Sequence, residues 1–189
     1  MARVTVRRVL SPLFVAALMM GFLVGPGAVS AHAAANCSGN QHLHFQPGLK
    51  LQPVEPPNSQ LPKVKVSTDG GTYSCPLPLG ESMTVTSVSI DVFASCVTSR
   101  DPDGTIVLNW PQAHAQGDKT STIKVASFGI SNGPSSGSKL IIIGGDVQSG
   151  RFTGQKATIQ VTATASDTTK CQTSQGLQDL TGVATAVFT

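Results

Sequence analysis

A His-x-His pair, four cysteines and a lone tryptophan carry most of the potential chemistry in this 189-residue chain. His42 and His44 flank Leu43, so on an extended strand both imidazoles leave the same face. Such a pair binds a transition metal when a third donor converges on it. No spacing in the sequence brings one, and His114 lies far along the chain. The pair therefore reads as a polar strand face meeting solvent, with no metal and no cofactor expected. Cys37, Cys75, Cys96 and Cys171 are at least 21 residues apart, which excludes the close C-x-x-C pairs of a zinc site. A catalytic thiol would leave an odd cysteine behind. An even count of separated cysteines instead indicates two disulfides and an oxidising compartment.

The remaining motifs are weaker. Asp101-Pro102-Asp103-Gly104 has the outline of a calcium loop but lacks the spaced third oxygen ligand and the bidentate glutamate. It suffices as a hairpin turn. Gly144-Gly145-Asp146 and Gly150-Arg151-Phe152-Thr153-Gly154 follow no strand-then-helix pattern, so they do not form a phosphate loop. The 10 scattered acids single out no pair of facing carboxylates. Trp110 and Tyr73 are the candidate ligand platform, for a sugar above all, if both stand exposed near strand ends. A sole tryptophan otherwise packs at the edge of a core. No catalytic residue and no cofactor-binding residue is assigned.

Composition narrows the classes further. Charged residues make up 12% of the chain and hydrophobic ones 40%, with 19 glycines, which excludes a coiled coil or a charged disordered tail. The net charge of +3 comes from Arg3, Arg7 and Arg8; beyond them 10 basic residues balance 10 acidic ones. A near-neutral remainder argues against a nucleic-acid surface. Those arginines precede an apolar run, Leu10–Val24, then Gly25-Pro26-Gly27 and Ala31-His32-Ala33, the order of a secretory signal peptide. Cleavage after Ala33 or Ala35 fits equally, and Arg7-Arg8 leaves the general and twin-arginine routes both open. The expected organisation is a signal peptide over residues 1–35 and one disulfide-stabilised β domain over 36–189. The processed chain is expected outside the cell, with no membrane segment of its own.

The elements that must position these residues are strands. Apolar and polar residues alternate in Lys63–Val66, Met83–Val92 and Ala157–Ala165, the period of half-buried antiparallel strands. Further strands are expected over Leu43–Leu51, Thr105–Trp110, Ser121–Ile130, Leu140–Val147 and Val183–Phe188. Leu140-Ile141-Ile142-Ile143 lacks alternation and reads as buried on both faces. Asp69-Gly70-Gly71, Asp101–Gly104, Ser131-Asn132-Gly133-Pro134 and Gly144-Gly145-Asp146 carry turn chemistry. Gln52–Pro62 holds four prolines and reads as an extended loop, and Ser174–Leu180 as at most one helical turn. About eight strands imply an all-β antiparallel fold, an Ig-like β-sandwich or a flattened barrel.

The hairpin across the proline-rich loop also pairs the cysteines. The midpoint of positions 37 and 75 is position 56, and Pro56 lies inside that loop. Antiparallel pairing of the flanking strands brings Cys37 opposite Cys75, and Cys96 pairs with Cys171 by elimination.

Several local patterns taken together resemble a family. They are Cys37-Ser38-Gly39 before Phe45-Gln46-Pro47-Gly48-Leu49, then Gly71-Thr72-Tyr73-Ser74-Cys75, a Cys96 strand and a strand ending in Trp110. Gly150–Gly154, Cys171, Gly176-Leu177 and a terminal Val187-Phe188 complete the set. The chain is similar over nearly all of this length to small secreted four-cysteine β-proteins of actinobacteria, which have no assigned function. That resemblance implies an exported all-β domain and brings no catalytic residues. The Gln52–Pro62 loop and the His42/His44 pair depart from it. The expectation is a non-catalytic binding or cell-surface interaction module for an extracellular or cell-wall ligand. The alternative is a secreted carbohydrate-binding domain or hydrolase with its site in strand-end loops.

Overall fold

Alternating sequence becomes eight strands in a computed structural model that describes residues 35–51, 61–76, 80–113, 118–134, 137–163 and 169–189. The strands are β1 (Ala35–Leu49), β2 (Lys63–Cys75), β3 (Glu81–Ala94), β4 (Ser99–Asn109), β5 (Thr120–Asn132), β6 (Lys139–Ser149), β7 (Lys156–Ala163) and β8 (Leu177–Phe188). Each pairs antiparallel with the next, and β8 returns to β1, from Ala35 opposite Phe188 to His44 opposite Asp179. The result is a closed barrel, one of the two architectures the alternation allows. Among the described residues its sequential strand order leaves no second sheet, which an Ig-like sandwich requires. Closure satisfies the backbone groups that two edge strands would leave unpaired.

The barrel interior is filled by alternate side chains, as expected for eight strands. Along β7, Ala157, Ile159, Val161 and Ala163 face in while Thr158, Gln160 and Thr162 face out. Leu140–Ile143 obeys the same rule, contrary to the expectation from its composition. Ile141 and Ile143 are buried in the core, and Leu140 and Ile142 lie half-covered on the outer face. One end of the barrel is sealed by aromatic rings. Trp110 lies 5.5 Å from Phe152 and 5.7 Å from Phe188, and the two phenylalanines stack at 4.8 Å. Arg151 caps them, its guanidinium 5.4 Å from the Trp110 ring and ion-paired with Glu81.

The disulfides are Cys37–Cys75 and Cys96–Cys171, the pairing the hairpin register requires. Ser38 lies opposite Ser74, so the next step toward the barrel end sets Cys37 against Cys75. Cys96, in the β3–β4 turn, reaches Cys171 in a 3₁₀ turn over Thr169–Gln172. The two bonds therefore tie opposite ends of the barrel.

Three of the expected turns are strand interior instead. Asp69-Gly70-Gly71 lies in β2, Asp101–Gly104 in β4 and Gly144-Gly145-Asp146 in β6. Register shifts fall beside each, so the glycines serve bulges and close strand approaches rather than chain reversal. Ser131–Pro134 does lie where β5 ends. The helical turn expected at Ser174–Leu180 is displaced to Thr169–Gln172, and β8 takes over from Leu177. Residues 1–34, where nearly all of the expected signal peptide over 1–35 falls, positions 52–60 of the expected proline-rich loop and His114 lie outside the described residues. Among the described residues no helix is long and apolar enough to cross a membrane.

Candidate functional site

The even-numbered residues of β1 between Ser38 and His44 point out of the barrel, which sets His42 and His44 on its outer face. Their ring centroids are 4.4 Å apart with the planes at 62°. The missing third donor comes from β2. His42 lies opposite Gly70 but His44 opposite Ser67, so Thr68 and Asp69 together face Leu43 across a bulge. The extra residue flips the inward–outward phase of β2 and turns the Asp69 carboxylate toward both imidazoles. Asp69 Oδ2 is 2.7 Å from His44 Nε2 and 3.5 Å from His42 Nδ1. A fourth group arrives across the barrel closure, where Asp179 of β8 lies opposite His44 and accepts from its Nδ1.

A buried polar brace holds this bulge. Gln41, 2% exposed, accepts from the Tyr73 hydroxyl at 3.1 Å and donates to Thr68 Oγ1 at 2.7 Å. Thr68 Oγ1 in turn accepts from the Gly70 amide at 2.9 Å. Gly71 makes room for the brace, since a Cβ there would sit 2.2 Å from Gln41 Oε1. The sequence feature that looks like a turn is thus the device that aims Asp69.

Electrostatics follow from the geometry. His44 has a carboxylate at each ring nitrogen, an arrangement that only the imidazolium, with two N–H donors, satisfies fully. Donation to Asp69, and then to Asp179, raises its pKa above the ordinary 6.5. The same bond to His44 lowers the Asp69 carboxyl below its ordinary 3.8. The donor atoms of His42, His44 and Asp69 all lie within 4.8 Å of one another. His42 and His44 side chains are about one-third exposed and Asp69 is 72% exposed, so the cluster opens to solvent.

The aromatic platform is corrected. Trp110 and Tyr73 are 0% and 1% exposed and both face the interior. Trp110 Nε1 donates to Ser121 Oγ at 3.0 Å, and burial pushes the Tyr73 phenol well above its ordinary pKa. Each ring is core with its polar atom satisfied, and neither offers a stacking face to a sugar. The outline of a calcium loop likewise dissolves into β4, where Asp103 pairs with Lys124. The four cysteines are all consumed in disulfides.

Sequence spacing alone identifies the imidazole pair but not its carboxylates. The register that pairs Cys37 with Cys75 also puts His42 beside Asp69-Gly70, a signal that was available for Asp69. Nothing local marks Asp179, which only the β1–β8 closure delivers. No known protein family, curated protein or solved structure matches the chain.

Proposed function

We propose that the protein is exported and works outside the cell as a non-catalytic binding or surface-interaction module, using the outer face of β1, β2 and β8. The observation that carries this reading is the filled interior. Trp110, Tyr73, Phe188, Met83 and Leu43 occupy the space where many barrels hold a ligand, so contact with a partner falls to the outside. On the β1–β2–β8 face the two histidines and two aspartates converge, and Val183 stands 66% exposed beside Asn40. Two disulfides agree with an oxidising, extracellular setting. The N-terminal arginines, apolar run and Ala31-His32-Ala33 support export. Ala35 is buried and pairs with Phe188, so processing after Ala33 keeps every barrel residue. Membership of the actinobacterial four-cysteine proteins remains part of the same proposal, supported by the quoted motifs.

The test couples processing to binding. Mass spectrometry of the secreted protein is expected to give an N-terminus at Ala34. A pull-down from culture medium and cell-wall material should recover a partner with the wild type and with Ala126→Asp, on the outer face of β5. Val183→Asp should lose it. Equal capture by both variants, or turnover of a cell-wall polymer by the purified protein, would overturn the reading.

A further inference from the structure

We propose that His42, His44 and Asp69 form a site for one divalent transition-metal ion of the zinc type, with Asp179 holding His44 from behind. The donor set is two imidazole nitrogens and one carboxylate oxygen, which suits zinc and its borderline neighbours. Calcium and magnesium require oxygen shells instead. Distances fit with little movement. Two bonds of about 2.1 Å at a tetrahedral angle place their donors about 3.4 Å apart. His42 Nδ1 and Asp69 Oδ2 are already separated by 3.5 Å. His44 Nε2 and Asp69 Oδ2, at 2.7 Å, share a proton that the ion would replace as the two atoms part slightly.

Two features separate this cluster from a chance meeting of surface side chains. The first is the outer carboxylate. Metal-bound histidines characteristically donate their other ring N–H to a carboxylate or carbonyl, which fixes the tautomer and the ring orientation. Asp179 does this at His44 Nδ1 and leaves Nε2 facing Asp69 and the shared space. The second is the rigidity of the support. His42 and His44 stand on a strand paired on both sides, and Asp69 sits on a bulge braced by Gln41, Thr68 and Tyr73. Three protein donors leave a fourth position, open to solvent, for water or an incoming ligand group. This inference does not rest on the interaction-module reading: metal binding stands whether or not a partner is captured.

Calorimetric titration of the untagged, chelator-stripped protein with zinc chloride tests it. One ion per chain is expected. His42→Gln and Asp69→Asn should each weaken binding at least tenfold, while Asp103→Asn, whose carboxylate pairs with Lys124 on β5, leaves it unchanged. Asp179→Asn, which removes only the outer carboxylate, should weaken it by about 10- to 100-fold. On the wild type alone, one equivalent of zinc should shift the ring ¹H–¹⁵N signals of His42 and His44, which keeps the test independent of how any variant folds. The absence of that shift, no saturable one-to-one isotherm, or wild-type affinity in both His42→Gln and Asp69→Asn would overturn the proposal.

Discussion

His44 is the residue on which the outer face turns. Its two ring nitrogens are claimed by carboxylates from different strands, one local to the β1–β2 hairpin and one delivered by barrel closure. The consequence in metal-free protein is a defined pH dependence. A histidine whose folded pKa is raised adds stability that is fully present below the unfolded value near 6.5 and is lost as pH rises through the folded value. In the presence of a chelator, urea unfolding should therefore show stability falling as pH climbs from below 6.5 through the titration of His44. NMR titration should place that midpoint above 6.5, and Asp179→Asn should move it down. A midpoint at or below 6.5 in the wild type would show that the carboxylates do not hold the proton. Tyr73 is the contrasting case at this scale. Its ring is buried in the interior, yet its hydroxyl anchors Gln41 and through it the bulge that aims Asp69.

Among the elements, bulges and turns decide more than the strands between them. Strand existence is legible because period-two alternation is a local property, and each of the eight expected strands has its counterpart. Turn chemistry misleads at three places, for a shared reason. Glycine permits positive φ and close backbone approach, and a bulge inside a strand needs these as much as a chain reversal does. The β6–β7 turn is where a glycine does reverse the chain. Gly150 has a φ of 81°, and a Cβ there would lie 1.7 Å from the carbonyl oxygen of Thr120. This turn presents Arg151 and Phe152 to the Trp110–Phe188 seal. Gly150→Ala should cost about 1–2 kcal/mol from the left-handed conformation alone, and more from the clash. Thermal unfolding compared with Gly154→Ala separates the two contributions, because Gly154 has a φ of 85° with nothing within 4 Å of its Cβ position. Equal losses in the two variants would show that backbone crowding at Gly150 is relieved without cost.

At the level of the whole molecule, two disulfides tie opposite ends of a barrel that has no free edge. Their sequence separations are 38 and 75 residues. Restricting the unfolded chain over loops of that size is worth about 4 kcal/mol each on the chain-entropy account. Paired Cys37→Ala/Cys75→Ala substitution should thus lower the unfolding free energy by roughly that amount. Non-reducing peptide mapping should recover only Cys37–Cys75 and Cys96–Cys171 linkages. A Cys37–Cys171 peptide would contradict the hairpin register.

The sequence by itself determined the all-β class, the strands, the register of the first hairpin and hence both disulfides. It could do so because alternation, cysteine count and a hairpin midpoint are one-dimensional quantities. Its choice between sandwich and barrel stayed open, since that depends on whether β8 finds β1 or another sheet, a meeting of residues some 140 positions apart. One bulge and that closure together decided the outer cluster: His42 and His44 share a face by local geometry, Asp69 joins them only through the one-residue bulge in the β1–β2 pairing, and Asp179 only because the last strand lies beside the first. Packing at the barrel end also decided the fate of Trp110. Whether a ring at a strand end faces solvent or core depends on what caps that end, and here the turn at Gly150 and the terminal Phe188 supply the cap.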